Sequence, residues 1–414
     1  MSAYVEPRVK PRVVDWISVF GLIAYMSLTF ARELQGAPIA FLILALLVPM
    51  LRWKPNFDIF SISIIILGVI YVVLSYFDVP VRSWSPVREE SYIIRQAHYA
   101  VLFPFYVIAM RVFLFRASKL QVNLVLPMVM LLILVWPLVI LRSSNFYAGF
   151  QVAPYGFDNF AMIFYIAVIL LFFRNRIMFI CACATLAIFS DASQNVLVCA
   201  ILIICRLAVS GRFVFIGAAM IPFVSVLMIP FFLPLYAIDA NTGVRIMFAS
   251  DALTAIKDSL GLGVGFGTWG VSNFYSYTGG GFVKFTNAAQ NIYTISVHNS
   301  LLGLSMRLGL GILILYLAFV VVIFRRMRVL DSIECKFVAC LAVMLFMAIA
   351  TNVAIESPTY SAGVALVFAI IDLYTSKLGF RVFVNRGLGL KYSRSQTLTL
   401  ARPTNPSREG RVGI

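Results

Sequence analysis

The chain has 414 residues, of which 62% are hydrophobic and only 12% are charged. A soluble domain runs at about 45–50% apolar and about 25% charged, so a soluble globular enzyme and a disordered chain are both excluded. The net charge of +16, from 33 Lys+Arg against 17 Asp+Glu, would suit nucleic acid in a soluble protein, whereas in a polytopic membrane protein basic residues gather on cytoplasmic loops.

A helix needs about 20 apolar residues to cross a bilayer. Twelve stretches are read as crossings, in chain order 14–30, 37–51, 58–77, 97–115, 121–141, 158–173, 177–190, 195–209, 213–235, 299–324, 337–355 and 359–376. The first follows a basic start, as a secretory signal does, but no small-x-small cleavage site comes after it, so a retained helix is expected. The seventh and eighth are short and flank the polar stretch Ser190 to Asn195, where one helical hairpin is the other reading. The expectation is an all-α polytopic membrane protein with about 12 transmembrane helices. A long periplasmic loop, 236–298, joins the ninth and tenth helices. Residues 1–376 form one transmembrane domain, and 377–414 form a basic, flexible cytoplasmic tail held near anionic lipid.

Twelve crossings with a cytoplasmic N-terminus leave seven segments inside. They are the N-tail, Arg52 to Lys54, Arg116 to Lys119, Arg174 to Arg176, Arg206 to Arg212, Arg325 to Lys336 and the C-tail. Together they hold 23 of the 33 Lys+Arg. The positive-inside rule therefore sets the orientation, and most of the +16 is a topology signal. Arg111 and Arg307 fall within helices. The six cysteines (Cys181, Cys183, Cys199, Cys205, Cys335 and Cys340) lie in expected helices or on the inner face, so no disulfide framework is expected. Cys181-x-Cys183 has no further Cys or His at zinc spacing, so no metal is expected.

The outer arginines stand against the charge bias and need a reason. Arg95 and His98 come first, at the outer edge of the fourth helix. Arg142 opens the outer loop that ends at Asn159, at headgroup level, and reads either as a snorkelling anchor or as a ligand cation. Arg245 to Leu260 looks helical, because Ile246, Ala249, Leu253, Ile256 and Leu260 recur at three- and four-residue steps. Arg245 falls at the edge of that face, opposite Asp251, Thr254 and Asp258. It either snorkels or pairs with an acid such as Asp239, or else it serves a ligand.

Glycines then alternate from Gly261 through Gly263, Gly265 and Gly267 to Gly270. A nucleotide loop is rejected, because no strand precedes the run and no Gly-Lys-Ser/Thr follows. A tight turn with close backbone approach to a ligand or a neighbouring helix is expected instead. The chain re-enters the membrane at Val297-His298-Asn299-Ser300. His298 sits beside an amide at a helix start, in the loop that also holds Arg245. Arginine suits diphosphate because its planar fork stays charged and donates two bonds, and histidine serves as a base near neutral pH. Transfer from a lipid-linked diphosphate fits this set, with an arginine clamp on the leaving group.

His298-Asn299-Ser300-Leu301-Leu302, followed by Gly309-Leu310-Gly311, resembles the signature of the O-antigen polymerase/ligase superfamily. The Arg245 helix with its turn from Ser259 to Gly267 is similar to that family's arginine-bearing outer loop. Arg142, Gly149-Phe150 and Asn159-Phe160-Ala161 resemble an earlier family pattern. The match in order and placement covers roughly residues 140–325.

The resemblance implies a multipass glycosyltransferase of the bacterial inner membrane, with both termini cytoplasmic. Its donor is a glycan on undecaprenyl diphosphate, passed to a glycan acceptor at the periplasmic face with no metal, nucleotide or other cofactor and no nucleic-acid partner. His298, Arg245 and Arg142 carry over as catalytic. Arg95, Asn159, Asn299 and Gly265 are the expected substrate-binding positions. A chain-length regulator or flippase is a family-level partner. Two departures stand out, Ser193-Gln194 in place of a Ser-Arg pair and Arg307 in place of an acid. Arg307 lies about 13 Å below His298 at 1.5 Å per residue, where it either extends a polar channel or pairs with an acid. The departures favour a polymerase of repeat units. A ligase acting on lipid A-core is the alternative, and a polysaccharide or lipid-linked transporter the second.

Overall fold

Hydrocarbon offers no hydrogen-bond partners, so a chain this apolar must satisfy its backbone internally, and helices do so within one segment. The computed structural model describes residues 59–77, 90–120, 193–207, 210–228, 240–267, 274–278, 281–285, 299–351 and 360–387, with single positions 13, 177, 179–181, 183, 184, 297 and 355. The packed body is helical. In chain order come α1 (Ile59–Tyr76), α2 (Glu90–Leu120), α3 (Ser193–Leu207), α4 (Gly211–Leu227) and α5 (Ala240–Asp258). After these follow α6 (Ser300–Leu308), α7 (Gly311–Arg326), α8 (Ser332–Thr351), α9 (Tyr360–Ser376) and α10 (Leu378–Gly387). Between α5 and α6 the long loop adds one antiparallel hairpin, β1 (Phe274–Thr278) with β2 (Gly281–Phe285), in the register Phe274↔Phe285 to Thr278↔Gly281.

Among the described residues, α1 and α8 are long and apolar enough to cross a bilayer, and α9 with α10 makes a third candidate if its 109° bend is one broken span. The expected spans 14–30, 37–51, 121–141 and 158–173 lie outside the described residues, as does most of 177–190. Two expected spans differ in extent. The 97–115 stretch lies inside α2, a 31-residue helix that starts at Glu90 and contains Pro104. Arg95 and His98 are therefore positions on a helix. The 299–324 stretch is two helices, because the chain breaks at Gly309.

The core centres on α8. Its residues from Phe337 to Ala350 are all buried, the pattern of a helix enclosed by others. It meets α4 closely: a Cβ on Gly211 would lie 2.4 Å from the Cys335 carbonyl carbon and the Lys336 nitrogen. The crossing of α1 with α2 is similarly tight, with Gly68 against Ala100. Phe368 of α9 gathers rings from three other helices: Phe319 at 4.3 Å, Phe60 at 5.1 Å and Phe103 at 6.4 Å. Outward faces are apolar too. Ile62, Ile66, Val69, Ile70 and Val73 are exposed on α1, and Ile314, Leu317, Val321 and Val322 on α7. A belt of this kind suits lipid, not water. The six cysteines form no disulfide.

At the Arg326 end the helices are tied by buried charge. Asp372 of α9 holds Arg111 of α2 at 2.8 Å and Arg326 of α7 at 2.6 Å. Glu334 of α8 takes the Asn385 amide at 2.9 Å and faces Arg381 at 3.6 Å, which docks α10 onto the body. Tyr374 donates to the same Asn385 side chain at 2.7 Å. Asp331 and Glu334 also cap the start of α8 reciprocally, at 2.7 and 3.2 Å.

Gly211→Val is expected to lower the thermal unfolding temperature of the purified protein, because its methyls would meet the α8 backbone at an overpacking cost of about 1–3 kcal/mol. Gly217→Ala, on the same helix with nothing within 4 Å, is expected to leave it unchanged or to raise it slightly. Equal losses from both substitutions would contradict the close α4–α8 crossing.

Candidate functional site: the glycine turn at the helix break

The site begins with the end of α5. Gly261 N donates to Ile256 O at 2.8 Å and Leu260 N to Lys257 O at 2.9 Å, the paired bonds of a Schellman helix stop. That motif needs a left-handed residue at its C′ position, where glycine is usual. Here the residue is Leu260, with φ of 52°. Left-handed backbone costs an L-residue about 1–2 kcal/mol, so a leucine in this place is kept against a local penalty.

The chain then runs along the break between α6 and α7. Every second residue is a glycine with positive φ: 78° at Gly261, 81° at Gly263, 73° at Gly265 and 82° at Gly267. Gly309, at the break itself, has φ of 74°. A Cβ on Gly263 would lie 2.5 Å from Gly309 N, and one on Gly309 would lie 2.6 Å from Leu262 O. The two backbones are in contact, which only glycine allows.

Contact makes the hydrogen bonds. The carbonyls at the end of α6 lack helical partners, as does the first amide of α7. Val264 N supplies Met306 O at 2.8 Å, Gly265 N supplies Arg307 O at 3.0 Å, and Leu310 N finds Gly261 O at 2.8 Å. Three side chains then hold the turn from the other side. Tyr71 of α1 donates to Leu262 O. Ser75 accepts from Phe266 N at 2.8 Å, and Gln96 of α2 accepts from Gly267 N at 2.8 Å. Gln96 Oε1 also takes Arg307 Nη1 at 2.7 Å, and the guanidinium is only 1% exposed.

The helix α5 lies against α6. Phe248, Ala249, Ala252 and Ala255 share a buried cluster with Val264, Val297, Leu302 and Met306. The buried face is thus turned by about 100° from the one the apolar spacing of Ile246, Ala249, Leu253, Ile256 and Leu260 suggests. Alanines face the neighbour because the approach is close, while Leu253 and Leu260 are exposed. Thr254 remains opposite, while Asp251 and Asp258 now lie to one side. Position 245 moves from the edge of the face to within about 30° of its centre.

The expected site residues separate into three groups. His298, Arg142 and Asn159 lie outside the described residues, although Val297 and Asn299, on either side of His298, are both buried. Arg245 lies on α5 and Arg95 on α2, one residue before Gln96. Asn299 and Gly265 are placed in detail, and both take part in internal packing. Asn299 is the N-cap of α6, with Oδ1 accepting from Leu302 N at 3.0 Å. Its amide donates to Pro222 O at 3.2 Å and Ser225 Oγ at 3.0 Å, which leaves neither amide hydrogen for a substrate. Gly265 is buried with its amide on Arg307 O.

What the sequence reading missed is the polar set behind the turn: Tyr71, Ser75, Gln96 and Ser259. A signal exists, since polar side chains inside apolar helices are uncommon and usually have partners. The segments carrying Arg95, Arg245 and His298 are joined through this turn. The chain matches no known protein family, no curated protein and no solved structure.

Gly263→Ala and Gly309→Ala are each expected to cost at least about 2 kcal/mol, combining left-handed strain with a backbone clash. Gln96→Met keeps the side-chain length but removes an acceptor shared by two buried donors, an expected cost of about 1–3 kcal/mol. Thermal unfolding of the purified variants checks all three, and stabilities equal to the parent would contradict this geometry.

Proposed function

We propose that the chain is a bacterial inner-membrane glycosyltransferase that polymerises O-antigen or exopolysaccharide repeat units from undecaprenyl-diphosphate donors at the periplasmic face. One observation carries the reading beyond the motif resemblance. The helix bearing Arg245 packs on α6, the helix that begins two residues after His298. Gln96 ties both to the helix bearing Arg95. The helices bearing Arg245 and Arg95 are thus joined beside the start of α6, which supports the reading.

In this reading the acceptor hydroxyl oxygen attacks the anomeric carbon of the donor glycan. His298 takes the hydroxyl proton as the new C–O bond forms. The bond from the anomeric carbon to the diphosphate breaks, and undecaprenyl diphosphate leaves with the electron pair. Arg245 and Arg142 hold that diphosphate as its charge develops, which lowers the barrier without a metal. The Ser193-Gln194 and Arg307 departures favour the polymerase. Charged ties among α2, α7, α8, α9 and α10 at the opposite end favour an enzyme over a transporter that rocks open there.

His298→Ala and Arg245→Ala are expected to abolish long-chain polymer while the protein remains in the membrane, read by glycan electrophoresis and membrane immunoblot. Normal polymer length in both variants would refute the assignment. In a deletion strain, core capped with a single repeat unit identifies a polymerase. Uncapped core with polymer still on the lipid carrier identifies a ligase instead.

A further inference from the structure

The sequence places 236–298 outside the membrane, yet the end of α5 sits well down the bundle. Tyr71 and Ser75 hold the turn at Leu262 and Phe266, and α1 ends at Tyr76. At 1.5 Å per residue, Leu262 is therefore level with a point about 8 Å inside the end of a bilayer-length helix. The other wall agrees. Gly265 meets Arg307, about 12 Å along α6 from the cap at Asn299.

The amide half of the backbone is satisfied as that depth requires. From Ser259 to Gly267, every amide N–H has a partner within the protein. Gly263, which has no backbone acceptor, uses Ser259 Oγ at 3.1 Å. A surface turn needs no such completeness, because water serves it. Irregular backbone within a bilayer does need it.

The outward side chains at the tip are leucines. Leu260 is 89% exposed and Leu262 61%, with Leu310 beside them against Gly261. Leu260 holds its place in left-handed backbone, where glycine would be free of strain. In water an exposed leucine at a strained position gains nothing. In hydrocarbon its side chain is solvated. The patch also continues along α7, where the exposed Ile314 and Leu317 lie four and seven residues beyond Leu310 on one helical face.

We infer that the segment 240–267 is re-entrant and that its tip, Leu260 and Leu262 with Leu310, rests among the acyl chains of the nearer leaflet. The end of α5 is thereby anchored in lipid, and the helix that carries Arg245 rises from within the membrane. This goes beyond the proposed transfer reaction and does not depend on it.

The test is a fluorescence depth measurement on the full chain in phosphatidylcholine nanodiscs. Leu260→Cys is labelled with a nitrobenzoxadiazole maleimide, and Val69→Cys on the outward face of α1 serves as the reference. Signal from native cysteines is subtracted with the labelled parent chain. Nitroxides on the acyl chains are expected to quench position 260 about as strongly as position 69, and several-fold more than aqueous iodide does. Iodide quenching that dominates at 260 but not at 69 overturns the tip and leaves the membrane body standing. Iodide quenching that dominates at both positions overturns the two together. If Leu260→Cys does not fold, Leu262→Cys carries the same readout. A chain that transfers no sugar yet shows acyl-chain quenching at 260 keeps the tip and loses only the proposed function.

Discussion

The structure depends on how it mends a broken helix. Gly309 separates α6 from α7, and each broken end leaves backbone groups without helical partners. Inside an apolar body such groups are costly when left unpaired. The glycine turn after α5 pairs Met306 O, Arg307 O and Leu310 N in one pass. It can do so only because Gly263 and Gly309 let two backbones touch. The break and the turn therefore require each other. Continuing the helix through 309 would remove the acceptors the turn uses, and filling the glycines would hold the turn away from them.

That join fixes what surrounds it. Tyr71, Ser75 and Gln96 anchor the turn to α1 and α2, so four segments far apart in sequence share one hydrogen-bonded knot. The alanine face of α5 follows from the same constraint. A helix led into contact by backbone pairing at its end approaches its neighbour closely, and small side chains are what fit between. The opposite end of the bundle is held by a different device. There Asp372 and Glu334 tie helices through buried charge. Breaking one such pair strands a buried charge, so these ties specify the arrangement more than they add net stability.

Much of this was legible in the sequence wherever the signal is local. Apolar runs marked α1 and α9 closely, and the alternating glycines from Gly261 announced a tight backbone approach. The helix break was harder to see, because Gly309 and Gly311 sit in a stretch whose composition still reads as one span. Hydrophobic periodicity in α5 marks an apolar side for the protein body or the membrane surface without separating the two, and here the alanines take the protein side while Leu253 and Leu260 turn outward. Arg111 falls within a helix with its partner Asp372 distant in sequence, and no periodicity reports such a pair. Asn299 stood out by its neighbours His298 and Ser300, and its cap bond to Leu302 explains an amide there without a ligand.

Arg307 shows how a buried charge can answer to the backbone beside it. The resemblance leads to an acid at this place, and the chain has an arginine. Gln96 Oε1 receives two donors at once, Gly267 N and Arg307 Nη1. The Gly267 amide cannot change its character, so the side chain at 96 must present an acceptor to the turn. An acid at 307 would instead call for the amide NH2 of Gln96, and rotating Gln96 to provide it would set that NH2 against the Gly267 N–H, donor facing donor. A cation at 307 and a backbone donor at 267 make the same demand on one oxygen. The arginine is therefore compatible with glutamine at 96 in a way an acid is not, and the two positions are coupled through the turn they both hold.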